Sequence, residues 1–266
     1  MYNFNYHTPN TIEDCIKIFN SVKFPKYLAG GMTIIPSLKQ KLSTPSDIID
    51  LQNIKSLKNI YLNNKNQITI GALNTHNEIA ESKVIKQHIK GLTYLASNIA
   101  DNAVRNLGTL GGSICNSDPA ADYPSALLSL NASILTNKRS ISAKDFFIDM
   151  FETALTDDEI VISISFPIVK KSYYLKFASQ ASKYAIVGIF GSYNNNLIKL
   201  AITGAANKVF SIKELEGLTP QQVLELNLDQ LDLEKYYINS DIHASSQYRI
   251  ALIKNMVKNI SNYFKN

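Results

Sequence analysis

Residues Val104–Ala132 read VRNLGTLGGSICNSDPAADYPSALLSLNA, and four devices lie in that one stretch. Arg105 supplies a cation, and Thr109-Leu110-Gly111-Gly112-Ser113 makes a tight glycine turn. Asn116 to Asp122 sets two acids around Pro119, and from Pro124 to Leu130 the chain turns apolar in the manner of a buried helix. Consecutive backbone N–H groups around glycines converge on an anion, because glycine adopts angles closed to other residues and lets a phosphate come close. A second turn of this kind, Leu28-Ala29-Gly30-Gly31-Met32-Thr33, ends an aromatic and aliphatic run about eighty residues upstream. Two phosphate-sized nests in one short domain point to a dinucleotide ligand.

The surrounding residues narrow the chemistry by exclusion. Neither turn is a Rossmann fingerprint, since Gly30-Gly31 lacks the third glycine opening a helix and no acid is placed to hold an adenosine ribose. No Gly-Lys-Ser/Thr sequence occurs, which excludes an ATPase P-loop. Asp118 reads equally as a cap for the following helix, and Asp122 as an acceptor for sugar hydroxyls. Arg105 suits a phosphate or a structural ion pair. His7, His76, His88 and His243 are scattered without metal-ligand spacing, and His76, after the cap-like Thr75, reads as a loop-orienting residue. Cys115 beside the second turn reads as a small buried filler. With no reactive protein group in evidence, a bound cofactor has to carry any chemistry.

A chain of 266 residues with 45% hydrophobic and 18% charged content buries a sizeable core, in one large domain or two. The net charge of +5 comes from 27 basic and 22 acidic side chains dispersed along the chain, so no basic stripe suggests nucleic acid. Cys15 and Cys115 alone build neither an iron–sulfur cluster nor a structural zinc site, and give no disulfide framework. The first residues lack a signal-peptide pattern, and no run approaches the roughly 18 apolar residues of a membrane span. A cytoplasmic protein is expected.

Periodicity predicts an opening β-α-β-turn-α-β unit through Leu51, strands at Leu57–Leu62 and Gln67–Ala72, and a helix capped by Thr75 with Glu78 in a capping box. One helix is expected over Ile85–Ala100, a strand at Ser133–Thr136, a short helix at Ser142–Phe147, and a strand from Glu159 to Phe166. A boundary falls between Pro167 and Tyr173. Three strands follow at Tyr173–Phe177, Tyr184–Tyr193 and Leu197–Thr203, then helices at Thr219–Leu226, Leu231–Tyr237 and Ser246–Phe264.

Four ordered motifs carry a family resemblance. Leu28 to Pro36 resembles an AGGT-x-L-x-P element, and Ile70-Gly71-Ala72-Leu73-Asn74-Thr75-His76 resembles IGA-x-TTH. Arg105 to Ser113 followed by Asn116 to Asp122 is similar to RN-x-GTIGG…DPAAD, and Asp241 to Arg249 to ASA-x-YR. Together they resemble the FAD-binding medium subunit of molybdenum hydroxylases, the xanthine dehydrogenase and carbon monoxide dehydrogenase group, nearly end to end. The resemblance implies an α+β fold: a PCMH-type FAD-binding domain over 1–170, with subdomains about 1–54 and 55–170. A carbon monoxide dehydrogenase flavoprotein-type C-terminal domain over 171–266 follows, with about three antiparallel strands and three helices.

The resemblance also implies a non-covalent FAD between the subdomains, since no His or Cys is placed as a tether. Leu28, Ala29, Gly30, Gly31, Met32, Thr33, Ile34 and Ile35 would wrap the pyrophosphate through backbone amides, with Thr109, Leu110, Gly111, Gly112 and Ser113 doing so from the other side. Asn116 and Asp122 match positions at the phosphate or sugar region, Ile99 and Val161 apolar positions lining the site. Lys176 matches a lysine near the isoalloxazine, with Tyr184 as its neighbour; solvent exposure or domain packing are equal readings of both. In such complexes a large molybdopterin-binding subunit hydroxylates substrate at its molybdenum cofactor. A small iron–sulfur subunit with 2Fe-2S clusters passes electrons to this FAD, and NAD+, dioxygen or another acceptor takes them. Departures fall in the second domain: Gln180 stands for the usual arginine, Ala206 to Val209 lacks the usual proline and arginine, and Gly204–Asp241 is short. A non-catalytic assembly protein and a standalone PCMH-type flavoenzyme are the competing readings.

Overall fold

Three short parallel strands form where the opening unit was expected. β1 (Asn5–His7) leads to α1 (Ile12–Ser21), which Thr11 caps by accepting the Asp14 amide at 3.1 Å; Glu13 and Asp14 suit the positive end of the helix. β2 (Pro25–Leu28), α2 (Ile34–Lys39) and β3 (Asp47–Asp50) complete the unit. β3 lies between β1 and β2, buried along its length. The computed structural model describes all 266 residues.

The second unit carries β4 (Ile60–Leu62), β5 (Gln67–Gly71), α3 (His76–Glu81), α4 (Lys83–His88), α5 (Lys90–Ser97), α6 (Asn102–Leu107), α7 (Leu110–Asn116) and α8 (Tyr123–Ser129). It continues through β6 (Ser133–Thr136), β7 (Ser140–Ser142), α9 (Ala143–Phe146), β8 (Phe147–Asp149), β9 (Glu152–Thr153) and β10 (Val161–Pro167). The strand order is β4-β5-β10-β6-β7, antiparallel throughout, with the β8–β9 hairpin apart. Ile68, Ile70, Ile134 and Ile164 face α5, α7 and α8 through Leu92, Leu95, Ile114 and Leu127.

The third unit is an antiparallel sheet, β11 (Lys171–Ala178), β12 (Ala185–Asn194), β13 (Leu197–Thr203) and β14 (Phe210–Ser211), followed by α10 (Pro220–Glu225) and α11 (Ser246–Lys265). Strand alternation divides its side chains between two cores. Val187, Ile189, Leu200 and Ile202 pack with Ile253, Val257 and Ile260 of α11. Tyr174, Phe190 and Ala201 point the other way and join the core of the second unit. The α+β class, two subdomains and an antiparallel C-terminal sheet with helices agree with expectation.

Two local expectations are corrected. The helix expected over Ile85–Ala100 breaks at Ile89 (φ −143°, ψ 65°). Beside the break, the Gly91 N–H leaves the helical ladder and donates to Ser172 Oγ at 2.8 Å, and a Cβ there would sit 2.9 Å from the Ser172 carbonyl carbon. Restarting the helix lets this glycine lie directly on β11. Leu231–Tyr237 forms no α-helix; 3-10 turns stand at Leu228–Gln230 and Glu234–Tyr236, with Tyr237 in the left-handed region at φ 52°.

Candidate cofactor site

The first glycine turn begins where β2 ends. Leu28 O accepts the Leu51 amide at 2.9 Å, the last bond before the chain turns away. Gly31 takes φ +75°, in the left-handed region that favours glycine. From there the N–H groups of Gly30, Gly31, Met32, Thr33 and Ile34 meet no protein acceptor, and the helical ladder starts only with Ile35 N donating to Gly31 O at 3.0 Å. Thr33 stands at the helix cap without a side-chain bond to it. A helix start leaves orphan amides that a side chain normally satisfies. Here a row of five is left without a protein acceptor at the positive end of α2, the kind of unshared donor set that an anion such as a phosphate can take up. On this observation the residues present fit a phosphate-bearing cofactor.

The second turn holds the first in place. A Cβ on Gly30 would stand 1.9 Å from Leu107 O and 2.9 Å from Gly108 Cα, so the two backbones touch. Gly108 in turn lies on His76, whose own N–H donates to Gly108 O at 2.9 Å. The His76 ring is buried with Nδ1 3.1 Å from the Tyr123 hydroxyl; burial, then Arg105, lower its pKa to about 4. It is a neutral brace under the turn.

The expected second amide nest at Thr109–Ser113 is corrected by its hydrogen bonds. Leu110 N donates to Asn74 O at 3.0 Å, Gly111 N to Ala72 O at 2.8 Å, Gly112 N to Thr109 Oγ1 at 3.0 Å and Ser113 N to Thr109 O at 3.0 Å. These amides are spent inside the protein. Gly111 is required for packing, since a Cβ there would lie 2.6 Å from Ala72 Cβ and 2.7 Å from Ala72 O. A Cβ on Gly112 would lie 2.9 Å from Thr109 Oγ1, the hydroxyl that caps this turn, and 3.5 Å from Ala29 Cβ.

The acids also acquire definite places. Asp118 Oδ1 accepts the Ala120 amide at 2.9 Å in a local turn, and burial raises its pKa. Asp122 is 5% exposed at the start of α8. The Tyr174 hydroxyl donates to it, and Lys176 Nζ lies 3.0 Å away. Burial raises the Asp122 pKa against the opposing pull of Lys176 and Tyr174. Between these acids, Pro119 O accepts from Gly204 N at 2.8 Å and Ala121 O from Thr203 Oγ1 at 2.7 Å. The acidic segment is thereby docked onto the ends of β12 and β13. Arg249 secures those ends, donating to Ile186 O at 2.6 Å, Gly204 O at 2.8 Å and Asp241 Oδ2 at 2.6 Å.

Of the other expected residues, Ile99 is half-buried beside the core, and its carbonyl accepts from Arg105 Nη1 at 2.7 Å. Arg105 therefore ties the α5–α6 loop. Asn116 is half-buried at the end of α7. Val161 is buried in the core at the start of β10, away from the surface. Tyr184 is 45% exposed in the β11–β12 turn; burial, then Asp118 and Asp122, raise its pKa. Sequence reading missed Asn98, Tyr174 and Lys183, which surround Lys176 and Asp122. Tyr174 and Lys176, two apart on one strand, share a face, and that period was the available signal.

Comparison with known proteins places the chain in a family. Residues 2–169 match the family described as FAD binding domain in molybdopterin dehydrogenase. The glyceraldehyde dehydrogenase medium chain of Sulfolobus acidocaldarius is 32% identical, with 94% of each chain covered. The nicotine 6-hydroxylase medium subunit of Paenarthrobacter nicotinovorans is 28% identical over 95% of this chain and 94% of that one. The structure of quinoline 2-oxidoreductase from Pseudomonas putida 86 superposes with a TM-score of 0.88 at 24% identity, covering 99% of this chain and 97% of that one, which speaks for the fold.

Proposed function

The chain belongs to the family of FAD-binding domains of molybdopterin dehydrogenases, and from that premise we propose that it is the flavin subunit of a heteromeric molybdenum hydroxylase. Its FAD would receive electrons from the 2Fe-2S clusters of a small subunit and deliver them to NAD+, dioxygen or another acceptor, while a molybdopterin-binding large subunit transforms the substrate. The relatives named medium chain and medium subunit support the heteromeric reading. No helix is long and apolar enough to cross a membrane.

Bound FAD supplies the redox centre, a property no side chain of this protein has. The protein's part is to hold it. The free amides of Gly30–Ile34 bind the pyrophosphate, with Leu28 and Ala29 leading the chain into the turn and Ile35 closing it. Thr109–Ser113 backs that loop, and Ile99 and Asn116 are assigned to the cofactor's flanks. Asp122 acts through Tyr174 and Lys176 to join the two domains beside the site, and Tyr184 stands at the isoalloxazine side. The functional division at residue 170 follows the end of the matched family region.

The observation that carries this reading is the row of five unshared N–H groups at a glycine with φ +75°. The experiment is to purify the full chain, add FAD, remove free flavin and release what is retained with acid. Stoichiometric FAD supports the reading, and none retained sinks it. Expression with neighbouring iron–sulfur and molybdopterin-binding chains then separates a subunit, which co-purifies with both, from a standalone flavoenzyme, which turns over alone.

A further inference from the structure

Lys176 projects from β11 into a closed setting, with its side chain 8% exposed. An ammonium group has three N–H donors and no acceptor. Here three protein acceptors surround it: Asp122 Oδ1 at 3.0 Å, Asn98 O at 2.7 Å and Lys183 O at 3.0 Å. They belong to three separate segments: the start of α8, the end of α5 and the turn between β11 and β12. A simple charge pair would need only the first. The other two are carbonyls of the α5–α6 loop and the β11–β12 turn.

The turn is built to present one of them. Lys183 takes φ +62°, Ser179 N donates to Tyr184 O at 2.8 Å, and Lys183 N to Ser179 O at 3.0 Å. Residues 180–184 are exposed, and Ala185 is buried with its N–H on Ala120 O at 3.3 Å. The Lys183 carbonyl is thus the point at which the exposed tip is tied back, one residue before Tyr184. A compact ammonium reaches three directions, which the planar fork of arginine does not.

We propose that Lys176 is a positioning residue whose three ammonium protons lock the β11–β12 turn and the end of α5 onto Asp122, so that Tyr184 is held at the flavin side of the site. The flavin part rests on the function proposed above; the clamp itself exists without flavin and is tested without it.

Amide hydrogen exchange on the full chain without FAD reads the clamp in two variants. Lys176→Met with Asp122→Asn removes both charges together, which avoids a lone buried ion. Lys176→Arg keeps the charge and loses the geometry. In both, exchange at Lys183–Ala185 and Asn98–Ala100 should rise by about tenfold or more, equivalent to about 1.4 kcal/mol, while α11 stays protected. In the FAD-loaded protein, Lys176→Arg should alter the visible circular dichroism of the flavin that is bound, a signature that a stabilising pair remote from the ring would not move. If the double variant fails to fold, Lys176→Arg decides by the same criteria. Exchange at the turn within about twofold of the native protein overturns the clamp, as does loss of α11 protection in both variants, which would make the pair a general support of the fold. A loosened turn with unchanged flavin dichroism overturns the placement of Tyr184. Failure of the native chain to bind FAD refutes the proposed function and leaves the exchange result standing.

Discussion

Replacing Gly30 by alanine is the sharpest perturbation of the proposed pyrophosphate loop. The added Cβ would stand 1.9 Å from Leu107 O, a backbone atom that no side-chain rotation can move aside. Restoring even a tight 3.0 Å contact requires the two backbones to part by about 1.1 Å, more than the tolerance of a hydrogen bond. If two of the five amides lose their aim at a phosphate, at about 1.5–3 kcal/mol for each bond to a charged group, the loss is about 3–6 kcal/mol. That corresponds to a rise in Kd for FAD of about 150- to 25,000-fold. Gly31→Ala serves as a graded comparison. Its Cβ would meet only the end of the Ile35 side chain at 2.6 Å, which can rotate, so the main cost is the left-handed backbone at φ +75°. That cost is about 1–2 kcal/mol, or about 5- to 30-fold in Kd if it falls entirely on the bound conformation. Isothermal titration of each folded variant with FAD measures both. A folded Gly30→Ala protein that binds FAD within about threefold of the native chain would refute the amide-row argument.

Three other outcomes follow from the same geometry. Gly111→Ala crowds Ala72 and should cost about 1–3 kcal/mol of stability, lowering Tm by several degrees in a melt without flavin; an unchanged Tm would contradict its assignment to packing. His76 has its pKa lowered to about 4 by burial and then Arg105, so the unfolded chain binds the proton more readily. Its contribution is therefore complete above about pH 6.5 and declines by up to about 3 kcal/mol as pH falls towards 4; His76→Gln should flatten that part of the Tm–pH profile, and an identical slope would count against it. For Glu159, burial opposes ionisation, but Arg139, Thr136 and the Thr156 amide outweigh it and hold the pKa at about 2. Its stabilisation is present above about pH 4.5 and lost between there and 2, about 1–2 kcal/mol after allowing for screening at the half-exposed Arg139; Glu159→Gln should remove this acid-dependent loss in a pH series of denaturant melts.

Much of this architecture was legible because it is written in local chemistry. Thr75 and Glu78 form the capping box their spacing announces, and the strands expected at Tyr184–Tyr193 and Leu197–Thr203 stand as β12 and β13. Legibility ended where a residue's role depends on a distant backbone. Gly111-Gly112 has the composition of a nest, yet its amides are taken by Ala72 and Thr109, and the preceding Leu110 amide by Asn74; Ala72 and Asn74 come from a loop more than thirty residues earlier. The break at Ile89 is not signalled by the apolar spacing of Ile85–Ala100, and the contact of Gly91 with Ser172 beside it joins residues 81 apart in sequence. Lys176 and Asp122 were both visible as polar residues beside a site, but Tyr174, which bonds Asp122, and the carbonyls of Asn98 and Lys183, which bond Lys176, come together only through the docking of the C-terminal sheet. At Gly30-Gly31 the feature on which the proposal rests, unshared amides at a left-handed turn, is local, so the residues themselves could signal it.

Amide hydrogen exchange of the native chain with and without saturating FAD tests the central claim at the atoms that carry it. The account predicts that FAD slows exchange at Gly30 to Ile34, whose N–H groups have no protein acceptor, and changes Leu110 to Ser113 far less because those amides are already bonded. Bound FAD that leaves Gly30–Ile34 exchanging as before would contradict it.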